Sequence, residues 1–316
     1  MKRFFFFLFL LPLAVNAQDY PTKPVRIVLP FGPGGVADIT TRTIAPHLTS
    51  GLGQQVVVEN MPGAGGIRAS SEVAKAEPDG HTLLLLTNGN AVSQALFKSL
   101  PYDPVNDFAM ISTVGYFSLV IVTAASSKYK TLQDVLAAAK ANPGKLNIGT
   151  ITPGGTQHLA GELFRSTAGI DALVVPHKTT GEVVLGVRQG SLDIGVDFIA
   201  PLVSGIRSGD LRALAVSAGK RQPQLPDVPT AIEAGVKGYD VASWNALAAP
   251  ARTPPAVIKR IHAELEKALA APDVQKRISD VGGEVTPGTP AQFGKLIHDE
   301  RVRYEKLVRE ANIRLD

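Results

Sequence analysis

Short apolar, β-branched runs alternate with stretches whose apolar positions recur every three or four residues, and the alternation continues through most of the chain. Runs of the first kind predict strands over 25–29, 55–59, 82–87, 145–149, 172–175, 193–196 and 211–215. Stretches of the second kind predict helices over 38–52, 67–76, 132–141, 156–168, 181–189 and 200–208. Such a β-α-β rhythm implies parallel sheets with helices on both faces. Two longer extended stretches interrupt it, "VGYFSLVIVT" at 114–123 and "YDVASWNALAA" at 239–249, the second holding the only Trp. Residues between them carry their own strands and helices, so these stretches are expected to cross from one lobe to another and back. Beyond the second crossing the chain reads as helical over 256–271, 272–281 and 290–311. The fold expected is α/β, with two lobes around a cleft: residues 18–116 plus 244–316 in the first, and 117–243 in the second. No internal sequence repeat is evident.

The first residues change where this fold is expected to work. Lys2 and Arg3 precede an apolar run over 4–15, and Val15-Asn16-Ala17 offers small side chains to a signal peptidase, so residues 1–17 read as a signal peptide. The run is too short to span a bilayer. The chain has no cysteine, which excludes disulfides, thiolate-bound metals and a lipid-modified terminus. A periplasmic location follows, with the mature chain free of the membrane. Net charge is +4, or about +2 without Lys2 and Arg3, and there is no basic run interleaved with aromatics; nucleic-acid binding has no support.

Three glycine loops carry the candidate chemistry: "PFGPGGVAD" at 30–38, "MPGAGG" at 61–66 and "TPGGT" at 152–156. The first and third each follow a strand and open a helix. Glycine there exposes backbone N–H groups, and a helix N-terminus adds about half a positive charge, so such a loop binds anions. One loop of this kind is equally explained as a tight turn; two, one per lobe, point to a shared ligand. Gly32, Gly34 and Ala37 also spell G-x-G-x-x-A, with Glu59 closing the next strand where a ribose-binding acid belongs. Against a dinucleotide stand Pro33, which removes a donor from the loop, the charge of Asp38, and the scarcity of such cofactors outside the cytoplasm. Asp38 reads more simply as a cap or loop brace. The "MPGAGG" loop reads as a turn.

Strand ends in open α/β sheets face the ligand, which brings in Asn88 as a donor to a carboxylate and Asp197 as an acceptor from a ligand hydroxyl or amine, or as a helix cap. His177 follows a strand of the second lobe and is a further candidate. His158 and Glu162 lie four apart on a predicted helix, a spacing open to a metal, but two ligands make no site and His158 is expected to pack behind "TPGGT". Trp244 is expected to pack at a crossing. Neither G-x-S-x-G nor H-E-x-x-H occurs, so no catalytic residues, metal or cofactor are assigned.

The motifs "VRIVLPFGPGGVAD", "VVVENMPGAGG", "DGHTLLL", "GTITPGGTQHLAGELF", "SGDLRALAVSAGKR", "LPDVPTAIEAG" and "WNALAAPARTP", in this order, closely resemble the Bug family of periplasmic solute receptors, which serve tripartite tricarboxylate transporters. The resemblance covers essentially the whole mature chain. It implies a type II periplasmic-binding-protein fold closing over its ligand, and two loops acting as pincers on a ligand carboxylate. Carried onto this chain, the pincers are Phe31, Gly34 and Gly35 on one side and Thr152, Gly154, Gly155 and Thr156 on the other. His177-Lys178-Thr179-Thr180, Pro33 and "TNGNAV" depart from common family patterns where the distal part of a ligand is read, so ligand identity does not transfer. The expected function is that of a non-enzymatic receptor for a small organic acid, partnered by a membrane permease of large and small subunits. The alternatives are an exported dinucleotide-dependent enzyme and a receptor acting through a sensor protein.

Overall fold

The computed structural model describes residues 20–63, 66–151, 153–310 and 313. Residues 1–17 and Thr152 therefore lie outside the described residues. Two sheets share one long strand. In the first, β1 (Val25–Leu29) lies between β2 (Val56–Asn60) and β3 (Thr82–Leu86), all parallel. Helix α1 (Val36–Leu52) connects β1 to β2, α2 (Ile67–Ala74) connects β2 to β3, and α3 (Asn88–Leu96) follows β3. The chain then enters β4 (Phe108–Ala124), passes through α4 (Leu132–Ala141), and repeats the same plan. In the second sheet β5 (Leu146–Ile151) lies between β6 (Ala172–His177) and β7 (Ile194–Phe198), again parallel, with α5 (Thr156–Thr167), α6 (Thr180–Gln189) and α7 (Ile199–Arg207) in the corresponding places.

Strand β4 holds the two halves together. Its residues 108–118 pair with β9 (Ala242–Pro250), which in turn pairs with β3. Its residues 119–124 pair with β7 and with β8 (Leu211–Val216). All these crossing-strand pairs are antiparallel, so the sheets are mixed where the β-α-β rhythm implied parallel pairing throughout. The chain closes with α8 (Pro255–Ala270), α9 (Pro272–Asp280), the short β10 (Gly283–Val285) against β4, and α10 (Pro290–Glu310).

Apolar burial follows period 2 along the strands. In β9, Leu247 and Ala249 pack with α1 and α8 on one face, whereas Trp244, Ala246 and Ala248 pack with α2 and α10 on the other. Trp244 is buried edge-on against Phe293 of α10, with ring centroids 5.5 Å apart. Each face of the second sheet has its own cluster too, one including Phe164 and Tyr239, the other Val183, Val187 and Leu202. A fifth cluster joins Val92 and Leu96 of α3, Leu159 of α5, and Tyr304, Leu307 and Val308 of α10. Helix α10 thus bridges the two halves.

Three elements escape the sequence pattern. Helix α3 was not among the predicted helices, because "NGNAVSQAL" is rich in turn residues; a capping box between Thr87 and Asn90 starts it. Strand β10 is too short to show a period. Strand β4 starts six residues before the predicted crossing, since polar Ser112 and Thr113 fall where the pairing with β9 shifts register.

Candidate functional site

A cavity of about 540 Å³ lies between the two sheets, beyond the carboxyl ends of their parallel strands. Its wall brings together Phe31, Gly34, Gly35, Gly155, Thr156 and Asp197 from the sequence reading. The helices that begin there are α1 and α3 from one half and α5, α6 and α7 from the other, as Val36, Thr87, Thr156, Thr180 and Ala200 all line it.

The two pincer loops have one local structure. Gly34 and Gly154 sit at φ +87° and +73°, the left-handed region, and each is followed by an extended glycine that serves as helix N-cap, Gly35 at φ −79° and Gly155 at φ −73°. Neither N-cap has a side chain, so the first-turn N–H groups of α1 and α5 are left open at the cavity wall. The brace is the same as well. Gly34 N–H donates to Asp38 Oδ2 at 2.9 Å, and Gly154 N–H donates to His158 Nδ1 at 3.0 Å, each four residues ahead. The sequences are Pro33-Gly34-Gly35-Val36-Ala37-Asp38 and Pro153-Gly154-Gly155-Thr156-Gln157-His158, a repeat that the sequence reading passed over. Both N–H groups at the left-handed glycines are engaged within the loop, so the ligand-facing donors belong to the residues after them.

Further side chains hold the first loop. Asn60 Nδ2 donates to Asp38 Oδ1 and to the Phe31 carbonyl, Arg42 Nε donates to Asp38 Oδ1, and Arg42 also donates to Asn60 Oδ1. Burial pushes the Asp38 carboxyl up, but the Gly34 N–H, the Asn60 amide and Arg42 outweigh it and hold it below the ordinary range. Asp38 is therefore a charged brace, as expected. Burial lowers His158 against the opposing pull of Glu162, which keeps the imidazole neutral and Nδ1 free to accept. The His158–Glu162 pair, 4.0 Å apart, thus has one ring nitrogen already engaged. In the "MPGAGG" loop, Gly66 at φ +76° lies where a Cβ would come within 2.9 Å of Pro30, so glycine there allows close packing of this loop on the first. The described residues of "MPGAGG" do not line the cavity.

Three sequence candidates fall elsewhere. Asn88 is buried at the start of α3; its amide donates to the Ala242 carbonyl and to Glu300 Oε2, and its Oδ1 accepts from Trp244 N–H. Both its donors and its carbonyl are turned to the crossing strand and α10, because the helix redirects a side chain that a strand end would have pointed into the cleft. Gly154 is engaged with His158, as above. His177 closes β6 outside the cavity wall, with Nδ1 4.0 Å from Glu182. Glu59, the ribose-binding acid of the dinucleotide fingerprint, lies outside the cavity wall, its Oε2 accepting from Arg26 at 3.0 Å.

Asp197 is 1% exposed and faces the cavity from the end of β7. Its Oδ1 accepts from Gln157 Nε2 at 3.1 Å and from Phe198 N–H at 2.7 Å; its Oδ2 accepts from Thr180 Oγ1 at 2.6 Å. Burial raises this carboxyl despite those three donors. Asn245, missed from the sequence, also lines the cavity, with Ser243. It is 2% exposed, and its Nδ2 has no hydrogen-bond partner among the described residues. The signal was available: Ser243 and Asn245 occupy the face of β9 on which Leu247 and Ala249 are core, so polar groups there call for a partner.

The profile of the tripartite tricarboxylate transporter family receptor, TctC, matches residues 40–313. The chain belongs to this receptor family. It is similar to the protein BugT of Bordetella pertussis, 34% identical over 303 residues, spanning 95% of this chain and 93% of BugT. Among solved structures, Rpa4515 of R. palustris with adipate superposes with a TM-score of 0.82 at 30% identity, and MatC of Rhodopseudomonas palustris with bound malate with a TM-score of 0.79 at 32%. They cover 94% and 92% of this receptor, and all of their own chains. The family is one of periplasmic solute-binding receptors, and the two-lobed α/β fold of this receptor is theirs. Among the described residues no helix is long and apolar enough to cross a membrane.

Proposed function

We propose that this receptor binds a small organic carboxylate in the cleft and presents it to a secondary transporter of the tripartite tricarboxylate type. The observation that carries this reading is the pair of matched loops, one from each half, whose uncapped helix starts meet at one cavity. Each charge-assisted hydrogen bond contributes roughly 1.5–3 kcal/mol, so several N–H donors from α1 and α5 suffice for micromolar binding after desolvation. The bound adipate and malate of the two solved relatives have the chemistry such a site selects. Lobes of residues 18–116 plus 244–316 and residues 117–243 would then close on the ligand, with Phe31, Gly35, Gly155 and Thr156 at the contact, and a permease reading the closed form. Export by residues 1–17 and the absence of an enzymatic step belong to the same proposal.

Gly35→Asp tests it. A Cβ on Gly35 meets nothing within 4 Å and its φ is ordinary, so the variant folds, yet it sets a carboxylate where the ligand's is held. Isothermal titration with mono- and dicarboxylates is expected to show binding to the native protein and at least a roughly hundredfold loss in the variant, or about 2.7 kcal/mol. Equal affinity in both, or thermal stabilisation by nicotinamide dinucleotides alone, contradicts the proposal.

A further inference from the structure

The two pincer loops share a backbone but differ in the chemistry of the residue that braces them. In the first, Asp38 accepts from Gly34 N–H, and its other donors hold the carboxyl below the ordinary range, so it accepts from neutral pH well into acid. In the second, His158 Nδ1 accepts from Gly154 N–H at 3.0 Å, which only a neutral imidazole with its proton on Nε2 can do. Protonation sets a hydrogen on Nδ1, directly against the Gly154 N–H. The acceptor becomes a second donor, and the brace is lost.

His158 is 8% exposed and lies behind the cavity wall. Glu162 is the charge beside it, with Oε1 4.0 Å from Nε2, and that carboxylate already accepts from Arg165. The elements packed on α5 turn their charges elsewhere: Asp197 of β7 to Gln157 and Thr180, and His177 of β6 to Glu182. Glu300 and Arg303 of α10 face Asn88 and the Asp240 carbonyl, while β5 and α3 carry no charge. The phenols beside α5, Tyr239 and Tyr304, are kept neutral by burial. Burial outweighs Glu162 at His158 and holds the ring below the ordinary histidine value.

We propose that His158 is a positioning residue that makes ligand retention depend on pH: protonation at Nδ1 releases Gly154 and displaces the N–H donors that follow it, while the loop braced by Asp38 stays set. This rests on the carboxylate reading above. Because the folded value lies below the ordinary one, the brace is complete above the ordinary value and is lost as pH falls through the folded one. An imidazolium acting only as a charge would do the reverse and attract the anion in acid, but Glu162 offsets that charge.

The test follows brace and binding separately. In the ligand-free mature protein, long-range proton–nitrogen correlation spectra are expected to show His158 Nδ1 unprotonated at neutral pH, and the Gly154 amide shifting in step with the ring on acidification. Isothermal titration with malate, adipate and a panel of other mono- and dicarboxylates then compares the native protein with His158→Asn, whose amide oxygen can accept from Gly154 and does not titrate. The variant is expected to bind within about threefold of the native protein at neutral pH. Below the folded value the native protein loses up to about tenfold more affinity per pH unit than the variant, which carries the pH dependence of the ligand's own carboxyls. A Gly154 amide that ignores the His158 titration, an Nδ1 protonated at neutral pH, equal pH profiles in the two proteins, or native affinity that rises in acid overturns the proposal. Absence of binding by every carboxylate overturns the carboxylate reading instead. In that case, or if His158→Asn does not fold, the Gly154 titration still decides the brace.

Discussion

Gly34 and Gly35 have different tasks within one dipeptide. Gly34 needs a left-handed backbone, so Gly34→Ala is expected to lower stability by about 1 kcal/mol, measured by urea unfolding, with binding weakened through the displaced loop. Gly35 needs only to be small, which is why its replacement by Asp strikes binding and not folding. Asn245 has the opposite character. Its buried, unpartnered Nδ2 costs the ligand-free protein about 1–3 kcal/mol, so Asn245→Leu is expected to raise the melting temperature while weakening ligand binding about tenfold. A lowered melting temperature with unchanged affinity would show that Asn245 is structural. At this scale the sequence was partly legible. Phe31, Gly35, Gly155 and Thr156 could be placed, since strand, glycine and helix start are neighbours along the chain. The Asn60–Arg42 brace could not, because its partners lie far apart in sequence, whereas Asn245 stood with Ser243 on an otherwise apolar strand face and was passed over.

Helix α3 shows how one missed element misplaces a residue. Read as a loop after β3, "TNGNAV" puts Asn88 in the cleft; as a helix, it turns Asn88 onto Glu300 and the β9 backbone. Short polar segments have no apolar period, and only the capping pair Thr87 and Asn90 betrays this one. Helix α10, by contrast, was expected over 290–311; of its apolar stripe Phe293, Ile297, Tyr304, Leu307 and Val308 are buried and Leu296 is partly buried. Its Glu300 faces inward beside them. Burial raises that carboxyl above the ordinary glutamate range, more than Asn88 and Arg303 lower it. A raised acid binds its proton more tightly when folded, so stability falls as pH rises from the ordinary value through the folded one. Glu300→Gln keeps an acceptor for Asn88 and removes this penalty. The variant is expected to be more stable than the native protein at neutral pH and equal to it near pH 4, in parallel urea titrations; a constant difference at both would contradict the ionisation argument.

The whole molecule is one plan used twice. Parallel strands in the order β2-β1-β3 and β6-β5-β7 each carry a Pro-Gly-Gly loop after the first strand, and an i to i+4 brace fixes each loop. The local rhythm made the two lobes legible, whereas the mixed pairing of β4 and β9 did not show, since strand direction leaves no trace in period 2. Because β4 runs through both sheets and α10 packs on α3 and α5 together, any closure pivots about this shared spine. A ligand held from both sides stabilises the protein as a unit: at a hundredfold excess over its dissociation constant, about 2.7 kcal/mol is expected in chemical unfolding. One carboxylate shared by the two loops is the arrangement that a crystal structure with a bound carboxylate would reveal most directly. Carboxylate oxygens are expected within hydrogen-bonding reach, directly or through one water, of N–H groups at the starts of both α1 and α5. A ligand carboxylate seated against only one of these helices, or elsewhere in the cleft, would contradict this arrangement.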